Sequence, residues 1–414
     1  MSKWDELQVA LAILVALQVW RVHELFPVLA VYGLPILATL VAVLIFWLDR
    51  DPRRRLDSLN HPIVYAALGI LVLVLLSVPG SVYPRGSLEF LLKNYLRTVL
   101  LMLLVAVSVR GLPDLRRLAW IQLAGVTLFS AVIVARSQVG SDGRLRDLAY
   151  YDVNDLATLI VCSLPLALYL WRRPAGLRSR IILVGTTAFL MMTLGQTGSR
   201  GGFVGFLAVT AYLLLRFQAI SRAKRMGAVG LVVILFLGLA NDTYFERLET
   251  LLHPSTDYNW SGQSETGRME VWKRGIGYML EHPVSGVGAH EFWAAEGTLG
   301  PEAVRARRYG RGFKWSAPHN AFIEIGAEVG VLGLILFVAL LVAAFRTLAR
   351  VRRAPTLDAA FLAHALTASA VGFVVTAVFL SQAYSAYLYT LLGMTLGLAR
   401  MTSPVRPALG NPQP

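Results

Sequence analysis

The sequence predicts an all-α polytopic membrane protein with about twelve transmembrane helices, and three observations carry that prediction. Hydrophobic residues make up 56% of the 414, and the mean hydropathy is +0.58. A soluble domain sits well below both values. Several apolar runs reach the roughly 17–25 residues that cross a bilayer as a helix. The connections between these runs alternate in charge.

Twelve spans follow from the apolar runs: about 4–21, 26–48, 62–79, 95–109, 117–135, 154–171, 181–196, 202–216, 226–241, 320–345, 359–380 and 384–399. The shorter ones fit by tilt or local thinning of the bilayer. Acids separate Lys3 from the first run and no small-x-small cleavage site follows, so this run reads as a retained helix. The loops that include "DRDPRRRLD", "RRPAGLRSR" and "RTLARVRRAP", with Lys3 and the tail, hold 22 Lys and Arg, against eight in the loops opposite. The positive-inside rule places the first set and both termini in the cytoplasm. The chain divides into spans one to nine (1–241), a long periplasmic loop (242–319), spans ten to twelve (320–399) and a cytoplasmic tail (400–414).

The net charge of +14 is therefore mostly topological. A nucleic-acid partner would need a basic soluble face, and none is visible. Cys162 stands alone in an apolar run, which leaves no intramolecular disulfide and no cysteine metal site. There is no P-loop, no dinucleotide fingerprint and no GxSxG elbow. Asp49-Arg50-Asp51 resembles a metal-binding DxD, but it lies on the cytoplasmic side among arginines that can pair with it. No metal and no cofactor are expected.

The loop over 242–319 contains Trp260, Trp272, Trp293 and Trp315, and a structured loop of that length is rarely mere connection. "SETGRMEVWKRGIGYMLEHP" reads as a helix whose apolar face is Met269, Trp272, Ile276 and Met279, stopped by Pro283. A partly helical cap is expected.

The chemistry gathers at the outer ends of the spans. "SAPHNAFIEIGAEVGVLG" opens span ten with Pro318, His319 and Asn320. Ser316 and Asn320 suit ordinary helix caps. His319 sits at the outer interface, and imidazole is the side chain whose ordinary pKa lies nearest neutrality. Glu324 and Glu328 share a helix face at membrane depth, where a carboxylate is costly, and Glu328 is expected to pair with a site arginine. Gly326, Gly330 and Gly333 suit close helix packing. Arg200, in "GQTGSRGGFVGF", is the only charge on a short outer turn, where it either snorkels or binds an anion. Arg268, Lys273 and Arg274 fall in the cap helix, and Arg305, Arg307, Arg308, Arg311 and Lys314 lead into His319. Arg144 and Arg146, before Asp152, Asn154 and Asp155, add two outer arginines. Such a basic surface suits an anionic lipid or a diphosphate. Arginines can hold a leaving diphosphate while a histidine takes a proton from an attacking hydroxyl.

"HNAFIEIGAEVGVLG" resembles the signature of the O-antigen ligase family of Gram-negative envelopes through His319, Asn320, Gly330 and Gly333. "TGSRGG" is similar to that family's outer-turn arginine motif, and "ETGRMEVWKRGIGYMLEHPVSGVGAHEF" to its cap segment, with Arg268, Gly286 and Gly288 in place. The resemblance covers roughly residues 150–345 and is specific in combination. It implies a GT-C-type architecture in the bacterial inner membrane with the active site facing the periplasm. It implies a metal-independent, inverting glycosyltransferase. The donor would be an undecaprenyl-diphosphate-linked glycan and the acceptor the lipid A–core oligosaccharide. His319 would be the base or the residue that positions the acceptor, with Arg200 and Arg268 on the diphosphate. Arg144, Arg146, Arg274, Arg311, Asn320 and Glu328 would be secondary substrate contacts. Polymerases and protein O-oligosaccharyltransferases of the same superfamily fit the same motifs. A lipid-linked sugar transporter would carry charges deep within several spans, and most spans have none near the middle.

Overall fold

The computed structural model describes residues 4–26, 33–52, 54, 56–137, 140, 145, 152–172, 176–216, 221–239, 249, 257–262, 264–313, 315–354 and 356–402. Arg144, Arg146 and Lys314 lie outside the described residues, as do 241–248 and 250–256 of the loop and the tail from 403. Among the described residues the helices run α1 (Glu6–Gln18), α2 (Val22–Leu25), α3 (Leu34–Leu48), α4 (Pro62–Ser77), α5 (Pro84–Phe90), α6 (Leu96–Ser108), α7 (Leu112–Arg136), α8 (Val153–Trp171), α9 (Leu177–Thr197), α10 (Arg200–Arg216), α11 (Arg222–Leu239), α12 (Arg268–Glu281), α13 (Phe292–Thr298), α14 (Pro301–Arg308), α15 (Ala321–Val351), α16 (Leu357–Ala377) and α17 (Ala386–Thr402). No β-sheet forms among them.

A helix stands at each of the twelve positions the apolar runs marked. Among the described residues, seven helical stretches are long and apolar enough to cross a membrane: α4 with its last turn, Pro84–Ser108, α7, α8, α9, α15 and α16. The chain is an all-helical, multi-pass membrane protein. One boundary differs. The fourth run was expected from residue 95, but a π-helical turn, Leu91–Tyr95, joins α5 to α6 and the helix begins at Pro84. Lys93 and Arg97 are thus helical rather than loop residues. Lys93 pairs with Glu89 at 2.5 Å, four residues earlier, and these charges lower the local hydropathy without breaking the helix.

The core centres on α8, which buries residues on every side, among them Leu156, Ile160, Cys162 and Leu166. A helix apolar all round belongs in the middle of a bundle. At the end far from the loop, Arg54 pairs with Asp49 and with Asp5 (2.6 Å), and Asp51 lies 3.9 Å from Arg110. The Asp49–Asp51 motif is part of an ion-pair network that ties α1 to its neighbours.

The cap helix α12 forms where it was expected but buries a different face. Val271, Gly275 and Tyr278 are buried, whereas Ile276 is 44% exposed. The cause is Gly275, which lets α12 close on Ile323 of α15 and Phe292 of α13. A glycine carries no hydrophobic signal, so periodicity points to the wrong stripe.

The helix that carries the carboxylates is broken. Within α15 the backbone leaves the helix at Gly330 (φ 84, ψ −179). The turn that follows α12 fills the break. Val287 and Gly288 donate their N–H groups to the carbonyls of Ala327 (2.8 Å) and Glu328 (3.0 Å), and Val331 donates to the Pro283 carbonyl (2.9 Å). Backbone groups freed at a break must find such partners, above all beside a bilayer. The fit demands two glycines at positive φ. A Cβ at Gly330 would meet the Pro283 oxygen at 2.5 Å, and one at Gly286 (φ 60) would overlap the Glu328 backbone. The segment after the break, residues 331–351, rises roughly 31 Å, enough alone to cross the hydrocarbon. Glu324 and Glu328 lie on the half-helix that docks against the cap.

Candidate active site

Arg200 opens α10 directly after the Gly198–Ser199 turn. Behind it Gly201 packs against Phe379, and Gly202 and Gly205 face Ala157 and Thr376 at short range. The arginine is thereby fixed at the end of tightly packed helices. Its guanidinium does not simply snorkel. It donates from both terminal nitrogens to Asp257, at 2.5 and 3.4 Å, with the two side chains 23% and 10% exposed. Burial alone would raise the Asp257 carboxyl, but bonds from Arg200 and the Asn259 N–H hold it below its ordinary value. Asn259 in turn accepts the Met269 N–H (3.0 Å), which places Arg268, the first residue of α12, beside this pair in the chain.

One turn along α12, Trp272 donates its indole N–H to the Pro318 carbonyl at 2.8 Å, next to His319. Trp272 also meets Trp260 edge to face at 5.2 Å, and Trp260 meets Phe379 at 6.5 Å. The residues before α12 therefore tie Arg200, Arg268 and His319 into one region at the cap end. His319 is half-buried with φ +46, a conformation uncommon outside glycine, and its N–H donates to Ser381 Oγ at 3.0 Å. Asn320 is a helix cap: its Oδ1 accepts the N–H groups of Phe322 (2.9 Å) and Ile323 (3.1 Å). That oxygen is taken by the fold, not left for a substrate.

The remaining expected contacts divide. Glu328 pairs with no arginine among the described residues. Its carboxylate accepts the backbone N–H groups of His290 (2.8 Å) and Phe292 (3.3 Å), so its work is to seat the chain that enters α13. Arg274 faces inward. It donates to both oxygens of Glu296 (2.8 and 2.6 Å) and to the Glu265 carbonyl (2.9 Å), and its side chain is 8% exposed. Burial would lower the guanidinium pKa, but Glu296 and Glu302 raise it. Arg274 holds the cap together and does not join Arg200. Arg311 lies exposed beyond α14. The "DVND" acids form a capping box, in which Asp152 accepts the N–H groups of Asn154 (2.6 Å) and Asp155 (2.9 Å).

The segment between α16 and α17 was not singled out in the sequence, yet it touches every part of the site. Phe379 packs on Gly201, Ser381 holds His319, and Gln382 donates to Asp155 at 2.6 Å. Ala383 donates its N–H to Glu324 at 2.9 Å, and the Tyr384 ring meets Phe90 and Tyr95 edge to face at 5.0 and 5.1 Å. The signal was present as "FLSQAYS", a polar interruption between two apolar runs too short to register as a loop with a task.

The site as a whole places a guanidinium and an imidazole at the cap end of a bundle, within a wall of indole and phenyl rings. That arrangement can bind an anion and accept a proton from a hydroxyl. The chain is similar to known proteins along part of its length. A family model described as O-antigen ligase (Wzy_C) matches residues 184–338. The chain is 25% identical over 320 residues to the O-antigen ligase of Pseudomonas aeruginosa, covering 76% of this chain and 72% of that one. It is 37% identical over 83 residues to the exopolysaccharide production protein ExoQ of Rhizobium meliloti, covering 19% of this chain and 18% of that one. The stretch the family model matches carries Arg200, Arg268 and His319, and over it this chain is similar to the O-antigen ligase family.

Proposed function

We propose that the protein is an O-antigen ligase that transfers a glycan from undecaprenyl diphosphate to a sugar hydroxyl of the lipid A–core oligosaccharide, at the periplasmic face of the inner membrane. The observation that carries this reading is the linkage of Arg200, Arg268 and His319 through Asp257, Asn259 and Trp272. His319 takes the proton from the acceptor hydroxyl. The hydroxyl oxygen attacks the anomeric carbon from the face opposite the diphosphate, and the bond from that carbon to the diphosphate breaks, with inversion. The electron pair leaves on the diphosphate, where Arg200 and Arg268 offset the charge. Arginine supplies this charge without a metal, so transfer is expected to proceed in EDTA. Arg144, Arg146 and Arg311 remain secondary contacts for the anionic substrates. Asn320, Glu328 and Arg274 hold the site rather than the substrate, because each is occupied within the protein.

The short similarity to ExoQ favours a second reading, a polymerase that extends the lipid-linked glycan. A deletion strain separates the two. Loss of a ligase leaves lipid A–core uncapped while polymerised glycan builds up on its carrier, whereas loss of a polymerase leaves cores bearing one repeat. A plasmid encoding His319→Ala is expected to insert normally and fail to restore the ladder. A restored ladder from that plasmid would remove His319 from the mechanism.

A further inference from the structure

His290 is a second histidine in a strained backbone at the cap end, and nothing in the proposed transfer uses it. Its φ is +62, and it shares a positive φ with His319 and Arg21 alone among the described non-glycine residues. The conformation is locked from both sides: the N–H donates to Glu328 at 2.8 Å and the carbonyl accepts the Trp293 indole N–H at 2.9 Å. Strain of this kind persists only where the surroundings over-determine it, and it clusters at binding and catalytic sites.

The ring itself is set up differently from its backbone. It stacks on Phe90 with centroids 4.5 Å apart and planes at 11°, and Phe90 stacks in turn on Tyr95 at 6.3 Å and 7°. No described residue bonds to either ring nitrogen. Solvent reaches the imidazole, yet protein surrounds it closely enough that desolvation lowers its pKa. It is therefore a neutral ring within reach of solvent, with one nitrogen able to donate and the other to accept.

The adjacent Glu291 supplies an independent observation. It is 2% exposed, and its Oε2 has no hydrogen-bond partner. The other carboxyl oxygen lies against Gly86 of α5. Gly86 and Phe90 are four residues apart and share one face of α5, so that face packs on Glu291 and His290 together. Desolvation raises the Glu291 carboxyl to about 7, so at neutral pH much of it carries a proton to donate. A buried oxygen without a partner beside an imidazole without one is a recognition surface for a group rich in hydroxyls.

The position fits the reaction. His290 is bonded to Glu328, and from Asn320 to Glu328 the half-helix rises about 12 Å. Arg200 and Arg268 are tied to the opposite, amino-terminal end of that half-helix, next to His319. His290 and Glu291 are thus displaced along the half-helix from His319 and from both arginines, where a sugar ring remote from the leaving diphosphate would lie. We propose that His290 and Glu291, on the Phe90 platform, form a subsite for an uncharged sugar ring of the acceptor oligosaccharide. This subsite rests on the transfer reading for its identity as an acceptor site, and direct binding tests it separately.

The probe is a delipidated core oligosaccharide, followed by saturation-transfer difference NMR on the full-length protein in detergent. Wild type and His319→Ala are both expected to show saturation transfer to the sugar ring protons. His290→Gly, which relieves the positive φ and keeps the backbone bonds, is expected to lose at least ten-fold in affinity, and Glu291→Gln to lose less. Equal binding by His290→Gly and wild type, or no binding by wild type, overturns the subsite. In a transfer assay, His290→Gly is expected to raise KM for the acceptor at least ten-fold with kcat within three-fold. A rise in donor KM alone overturns the assignment to the acceptor. If wild type binds the oligosaccharide but transfers nothing to it, the ligase reading falls and the saccharide site stands.

Discussion

Arg274 and Arg200 each hold a carboxylate through paired nitrogens, and the two pairs could hardly differ more in use. Arg274 and Glu296 are sealed inside the cap, 8% and 0% exposed, with Tyr278 Oη donating to Glu296 at 3.0 Å and Phe313 under the guanidinium at 5.8 Å. Arg200 and Asp257 sit at a helix start with solvent near, 23% and 10% exposed. The first pair is sealed. The second is open enough for an incoming diphosphate to compete with Asp257 for the guanidinium. Arginine content at the cap end is thus a poor guide to the site, and the exposure of each guanidinium is a better one.

The largest expected effect breaks the sealed pair. Arg274→Ala leaves Glu296 buried without its cation and should cost about 3–5 kcal/mol of stability, read as thermal unfolding in detergent, with transfer per folded molecule preserved. Loss of transfer in protein that remains folded would place Arg274 in the site after all. Next, Arg200→Lys keeps the charge but loses the fork. Transfer should fall about 100-fold, close to 2.7 kcal/mol of barrier, while the unfolding temperature stays near wild type. Gly330→Ala tests whether both pairs depend on one scaffold. It forces a side chain into a conformation that glycine alone tolerates and should cost about 1–3 kcal/mol, with transfer lowered as the plug loosens. The smallest effect belongs to Glu291, a buried carboxyl with no cation at all. Its pKa in the fold, about 7, lies above its ordinary value, so the fold binds the proton more tightly than the unfolded chain does. Stability from this group is therefore present at pH 5 and lost as pH rises through 7. Glu291→Gln should shrink the fall in melting temperature between pH 5 and pH 8 by about 2 °C. An unchanged fall would show that another group carries the dependence.

Much of this was legible in the residues. Apolar runs marked every long helix because hydrophobic length is a direct physical requirement of a bilayer. Arg200 and His319 stood out because each is a polar group at the end of an apolar run, and Arg268 because it falls in the cap helix. What stayed hidden depended on contacts distant in sequence. The run from Ala321 to Val351 reads as one continuous helix in sequence, and only the chain from Pro283 to Gly288 explains why it breaks at Gly330. Arg274 looked like Arg200 because Glu296 is 22 residues away. Ser381 and Gln382 carried no signature, since their roles exist only once α16 and α17 bring them to His319 and Asp155.

The insertion of one turn into the gap of a later helix also makes a clasp. Residues 283–288 and 327–331 are joined by backbone bonds, and everything between them forms a closed loop pinned at its base. That loop includes the exposed stretch after α14 with Arg308 and Arg311, an open target for trypsin. A cut there severs the chain but not the protein, because the two pieces remain buttoned together at Gly330. The halves of this enzyme are held by the clasp as much as by the covalent chain that runs between them.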